Sequence, residues 1–249
     1  MKLSTINYNH AENLHTRTGA LVGMEKFLSE HAFSSLLDVG AGTGSWLAAA
    51  RAHGVMEVVG VDGVLADESL LCVPRDLIFI RDFREPFRLG RCFDAAICLE
   101  VAEHLPELSA DTLIESICAH TNFVFFSAAA PGQHGENHIN CQPPSYWQGK
   151  FNACGFICSD DIRATIWTER EMEPWYRQNI FVARRDPEMA GCEPRIRHLI
   201  HPEMIQHMDF PHSPRGRRLA DIEGGAAGIR HYLALLRKSV RLRLKHLIA

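Results

Sequence analysis

Short runs of Val, Ile, Leu and Phe recur along the first half of the chain, at Leu36–Val39, Val58–Val61, Leu77–Ile80, Phe93–Leu99 and Phe123–Phe126. Strands that are buried on both faces read as continuous apolar runs, so this pattern predicts a mostly parallel sheet with helices on both sides. Helical spacing fills the intervals at Ser45–Arg51, Asp111–His120 and Tyr146–Cys154. It also marks Thr18–Ser29 ahead of the sheet, where Leu21, Met24, Phe27 and Leu28 share a face. A strand from Phe156 toward Trp167 and a last one in Asn179–Ala183 bring the count to seven. These two pair as an antiparallel hairpin with Thr168–Gln178 at its tip, and no internal repeat interrupts the scheme.

The 249 residues, 46% of them hydrophobic, suffice for one α/β core and an appendage rather than two full domains. No run of about 18 apolar residues occurs and Met1–His10 is polar, so neither a membrane span nor a secretory signal is expected and the cytoplasm is the default compartment. Eight cysteines lie in apolar stretches without a C-x-x-C pair, which reads as reduced core residues. The net charge of −4 hides a split. Residues 1–194 hold 15 Lys/Arg against 26 Asp/Glu, whereas 195–249 hold 11 against 4. Pro187–Gly228 carries five of the twelve prolines and several glycines. The chain thus divides into a catalytic-sized domain over 1–186, a loose connector over 187–228 and a basic amphipathic helix over 229–249.

The first strand runs into Asp38-Val39-Gly40-Ala41-Gly42-Thr43-Gly44, a glycine turn that opens a helix. Such a turn lets a ligand approach closer than a Cβ would allow. A dinucleotide fingerprint would place its third glycine at position 45, where Ser45 stands, so the spacing G-x-G-x-G favours S-adenosylmethionine over NAD. Asp38 suits a cationic ammonium and would repel a phosphate. Asp62, closing the second strand, can accept both ribose hydroxyls. At the third strand end, Asp82 can take the adenine amino group and Phe83 can flank the ring. A strand-terminal Asp is often a simple turn former, but three in succession behind a glycine turn point to a nucleotide.

The motifs DVGAGTG, VVGVD, RDF and FDAAICLEVAEHLP resemble those of the class I S-adenosylmethionine-dependent methyltransferase family over about residues 15–185. The resemblance implies a Rossmann-like seven-stranded sheet of order 3-2-1-4-5-7-6 with an antiparallel seventh strand. It implies cofactor contacts at Gly40, Ala41, Gly42, Asp62, Asp82, Phe83 and the backbone near Leu99 and Glu100. Thr18–Ser29 is then expected to lie across the cofactor mouth.

Ligands of open α/β sheets bind beyond the carboxyl ends of the strands, so the loop from Leu99 to Pro106 and the loop from Pro131 to Gln142 should face each other over the transferable methyl. His138 is the candidate base, with Asn140 and Gln142 orienting the acceptor. The same polar residues would also suit a loop bonding to its own backbone. Glu100, Glu103 and His104, joined by His138, are similar to the E-x-x-E-H pattern of metal-assisted small-RNA 2′-O-methyltransferases and ubiquinone-pathway O-methyltransferases. That resemblance would make the four residues ligands of a divalent ion. The alternative is a helix cap after the fourth strand. The loop PGQHGENHINCQPPSYW is similar to that of bacterial methyltransferases encoded beside glycosyltransferases, which implies a sugar, glycan or small natural product methylated on oxygen. A quinone-like phenol, an RNA 2′-hydroxyl and an inactive cofactor-binding module remain open.

In the tail, Ile229, Tyr232, Leu233, Leu236, Val240, Leu244 and Leu247 keep helical spacing beside Arg230, Arg237, Lys238, Arg241 and Lys245. Attachment to the inner membrane face, a partner or oligomer contact, and docking on the acidic domain all fit this pattern. Nucleic acid is disfavoured, because the catalytic part is acidic.

Overall fold

The computed structural model describes residues 17–207, 228–230, 232, 233 and 236. Most of the basic tail and the connector from 208 to 227 therefore lie outside the described residues. Helix α1 (Arg17–Glu30) precedes a sheet whose strands, in chain order, are β1 (Ser35–Val39), β2 (Glu57–Asp62), β3 (Ile78–Ile80), β4 (Ala95–Leu99), β5 (Phe123–Ser127), β6 (Phe156–Ser159) and β7 (Phe181–Arg185). Their spatial order is β3-β2-β1-β4-β5-β7-β6. β7 runs antiparallel to β5 and β6 while the other pairings are parallel. The expected architecture is the one found.

Because side chains alternate across a strand, neighbouring strand residues feed two separate cores. Leu36, Ala95, Ile97 and Phe125 face α1, α2 (Ser45–Ala52), α5 (Asp161–Ile166) and α6 (Pro174–Asn179). Leu37, Ala96, Cys98, Val124 and Phe126 face α3 (Ala110–Cys118) and α4 (Pro144–Ala153). On the first side the Phe27 ring of α1 stacks on Phe125 at 4.3 Å between centroids and lies parallel to Trp46 at 5.3 Å.

Three local expectations change. The strand that begins at Phe156 stops at Ser159, and α5 takes the rest of the apolar run. Ser159 Oγ accepts from the Asp161 N–H and donates to Asp161 Oδ2, a turn that starts a helix instead of prolonging a strand. The hairpin tip contains α6, begun by Pro174 in its first turn, and β7 starts two residues later than expected. Cys92 and Cys192 are exposed rather than core residues.

The chain forms two compact units that divide after Met204. Residues 187–204, expected to be part of a loose connector, belong to the first unit. Glu193 accepts from Gln148 Nε2, Asn152 Nδ2 and the Cys158 N–H, and Ile196 is buried in the α3/α4 core. In the second unit, the described residues from Ile229 to Leu236 are helical.

Phe27→Ala should lower unfolding free energy in urea by about 3–5 kcal/mol, the cost of emptying a fully buried aromatic site. A change within about 0.5 kcal/mol, as at surface positions, would mean that α1 does not seal this face.

Candidate active site

The carboxyl ends of β1, β2 and β4 open into a cleft of about 890 Å³ including its mouth. The turn after β1 is left-handed at Gly40 (φ 87°), Gly42 (φ 55°) and Gly44 (φ 79°), conformations that only glycine adopts without strain. A Cβ on Gly40 would overlap Val101 Cγ2, so the crowding that demands glycine here comes from the chain's own β4 loop. Asp62 locks the turn: its Oδ2 accepts from the Gly42 N–H at 2.7 Å and its Oδ1 from the Val64 N–H at 2.8 Å. Asp38, Gly40, Ala41, Gly42, Asp62, Phe83, Leu99 and Glu100, all expected at the cofactor, line the cleft.

Asp38 Oδ2 is buried and has no hydrogen-bond partner among the described residues. Burial, and then the negative charge of Asp62, push its carboxyl well above the usual carboxylate range. A buried polar atom without a donor is costly, and a cationic ligand group would relieve it. Asp82 departs from expectation. It does not line the cleft, and its carboxylate holds the Nε and Nη2 of Arg84, which keeps it below the usual carboxylate range. Only its neighbour Phe83 reaches the cleft wall.

The two acceptor-side loops meet as expected. The carbonyl of Glu103 accepts from the N–H groups of Ile139 (2.9 Å) and Asn140 (3.0 Å), folding the second loop onto the first. Glu103, His104 and His138 come together, each offering one ligand atom within 4.8 Å of the others. Glu103 is fully buried, and its carboxylate is faced by the backbone N–H groups of Glu103 and Ala129 and by the Glu100 carboxyl. Burial, and then Glu100, push its carboxyl well above the usual range. His138 Nδ1 lies 3.3 Å from the Gln133 carbonyl, which can only accept, so Nδ1 carries the proton and the Nε2 lone pair faces Glu103 Oε1 at 3.9 Å. Burial, and then His138, lower His104 to about 4, and burial lowers His138 too, so both rings are neutral near pH 7. A Cβ on Gly135 would overlap the His138 ring, so this glycine sets where the imidazole sits.

Glu100 does not join the cluster as expected of a fourth ligand. Its carboxylate accepts from Gln133 Nε2 at 2.8 Å and Asn179 Nδ2 at 3.1 Å, while its backbone is left-handed (φ 55°), a strained state for a non-glycine residue. Burial raises its carboxyl, and the hydrogen bonds from Asn179, Gln133 and Ser127 oppose that rise. Asn140 and Gln142, expected to orient the acceptor, bond to each other at 3.0 Å, and Asn140 is 3% exposed. Sequence reasoning passed over Gln133, Asn179, Gly135 and the cleft residue Trp46. The available signal was the polar run Arg177-Gln178-Asn179 set between apolar Tyr176 and Ile180, now seen to be buried.

A family described as "Methyltransferase domain" matches residues 14–175 of the chain. No curated protein sequence matches it. Among solved structures, the chain is similar to the sugar N-methyltransferase KedS8 from Streptoalloteichus sp ATCC 53650, with 17% identity, a TM-score of 0.54, and coverage of 69% of this chain and 88% of that one. It is also similar to CalS10, an amino pentose methyltransferase from Micromonospora echinaspora involved in calicheamicin biosynthesis and solved with S-adenosylmethionine bound. There the identity is 15%, the TM-score 0.50, and the coverage 74% of this chain and 99% of that one.

Asp38→Asn should weaken S-adenosylmethionine binding about ten- to hundred-fold, the worth of one charged hydrogen bond. For the parent protein, calorimetry in buffers of differing ionisation heat should show proton release on binding below neutral pH. The cation forces ionisation of a carboxyl that is otherwise held up, so affinity falls as pH falls. Equal affinity of parent and variant would remove Asp38 from the cofactor site.

Proposed function

Because the chain belongs to the methyltransferase-domain family and transfers one-carbon groups from S-adenosylmethionine, we propose that it methylates a hydroxyl of a sugar, glycan or small natural product, held over Glu103, His104 and His138. The observation that carries this reading is the fully buried Glu103 carboxyl gathered with the two neutral imidazoles of His104 and His138, the first of which lines the cleft. An amine acceptor attacks through its lone pair and needs no base at the moment of transfer. A hydroxyl must shed its proton, and this cluster supplies groups to receive it. A sugar acceptor is supported by the polar loop over 133–142 and by the sugars named for the two similar structures.

S-adenosylmethionine, when bound, supplies an electrophilic methyl on a sulfonium. Around it the chain's work is placement. Asp38 would take the ammonium, Asp62 the ribose, and the glycine turn allows close approach. Gln133 and Asn179 hold the Glu100 side chain at the cleft wall, and the His138 lone pair is aimed by the Gln133 carbonyl. The same three side chains, Glu103, His104 and His138, fit a divalent cation, because two neutral imidazoles and a buried carboxyl form a mixed N/O donor set. A cation held there would supply Lewis acidity toward an acceptor hydroxyl.

Gly135→Ala, which displaces the His138 ring, should leave S-adenosylmethionine affinity within about two-fold while turnover of labelled methyl into sugar acceptors falls at least about 100-fold, the usual scale of general-base loss. His138→Ala should do the same. Chelation should abolish turnover in the parent and Mn²⁺, Mg²⁺ or Zn²⁺ should restore it. Full activity after chelation would leave the cluster as a metal-free base. Transfer to amines but never to hydroxyls would overturn the O-methylation reading.

A further inference from the structure

The part of the chain that faces the acceptor is built without positive charge. Residues 92–149 span β4, both acceptor loops, α3, β5 and the first half of α4, and they contain seven Asp/Glu and no Lys/Arg. At the frequency of the whole chain, 26 Lys/Arg in 249 residues, about six would fall there. The cleft repeats the pattern. Asp38, Asp62 and Glu100 line it, and among the described residues no lysine or arginine does. Cations on neighbouring elements are engaged elsewhere: Arg84 by Asp82, Lys150 by Asp111 and Arg177 by Glu203.

Proteins hold a phosphate ester with arginine or lysine, with the N–H groups of a helix N-terminus, or with a metal ion. The described residues around this cleft do not supply the first. The second is blunted at each helix that opens here. α4 follows the acceptor loop, and its N-cap and first residue are Pro143 and Pro144, which carry no N–H. α3 has Asp111 in its first turn, and α2 opens on the glycine turn beside Asp38 and Asp62. As for the third, a divalent ion on Glu103, His104 and His138 would be offset by the Glu103 and Glu100 carboxyls next to it. A diphosphate would therefore enter a site of its own sign, whereas a neutral polyol meets no such barrier and a protonated amine is attracted.

We infer that the acceptor is phosphate-free and either neutral or cationic, a glycoside or glycan whose sugar has already left its phosphate carrier; this rests on the reading that the acceptor hydroxyl sits over Glu103, His104 and His138. Glycosyl transfer, which breaks the sugar–phosphate bond, is then the class of reaction that supplies this substrate.

The test offers labelled S-adenosylmethionine to the full-length protein with methyl glycosides of hexoses and deoxyhexoses and with the matching nucleoside-diphosphate sugars. Transfer to the glycosides should exceed transfer to the nucleotide forms at least about 100-fold in kcat/KM, the scale of one uncompensated like-charge contact. Raised salt should narrow that gap by screening the repulsion. Glu136→Lys, on the exposed loop beside His104, should narrow it about ten-fold while S-adenosylmethionine affinity and melting temperature stay at the parent's values. Independently of turnover, inorganic phosphate should not raise the melting temperature of the S-adenosylhomocysteine-loaded protein above that in chloride of equal ionic strength. A rise that saturates below about 5 mM phosphate overturns the inference, and so does turnover of nucleotide sugars equal to that of the glycosides. If no sugar is methylated, the phosphate titration alone decides. Methylation of amine nitrogens only, with phosphate still rejected, would overturn the O-methylation reading and leave this inference standing.

Discussion

Two buried acids govern the working end of this molecule. Asp38 in β1 and Glu103 after β4 both have a second acid beside them, and burial pushes both carboxyls well above the usual carboxylate range. Removing a carboxylate from water costs several kcal/mol unless a cation or a set of donors compensates. The chain provides such donors for Asp62, through two backbone N–H groups, and for Glu100, through two side-chain amides. Among the described residues it provides none for Asp38 Oδ2, and for Glu103 only the backbone N–H groups of Glu103 and Ala129, with the Glu100 carboxyl beside them. These two acids thus suit a cationic ligand group on the donor side and a cation or a proton on the acceptor side.

The surrounding architecture keeps this arrangement from relaxing. Strand ends on a parallel sheet are rigid; the first turn is set by left-handed glycines, and the chain stores strain at the left-handed Glu100 after β4. Asp62 ties β2 to the glycine turn, so a shift of one strand end moves the other. On the far side, Asn179 bonds both Glu100 and Gln133, and Gln178 bonds Asn179. Every member of this buried polar chain is satisfied, the condition under which such networks impose a unique geometry.

The sheet was legible from the chain because runs such as Leu36–Val39 and Phe123–Phe126 are apolar on both faces, and the glycine turn with Asp62 follows from local spacing. What escaped was decided by distant or very local contacts. The run from Phe156 to Trp167 is apolar enough for a strand, yet the hydroxyl of Ser159 turns it into a helix. The carboxylate of Glu100 looked like a fourth ligand by its spacing, but partners 33 and 79 residues away claim it. Asp82 was read as an adenine contact, and an arginine two residues on takes it instead. No window of sequence shows which of two equally spaced acids will be captured by an amide elsewhere.

The hydrogen-bonded chain behind Glu100 has a bearing on how far the working module extends. The family match ends at residue 175, before Gln178 and Asn179, and the Gln178 side chain in turn accepts from the His201 N–H at 2.9 Å. Part of the support of an acid on the cleft wall therefore comes from outside the matched residues, from the end of α6 and, behind it, from His201 in the segment after β7. Grafting only the shared part onto another protein would transplant the methyl-donor crevice while leaving behind the brace that shapes its neighbouring wall.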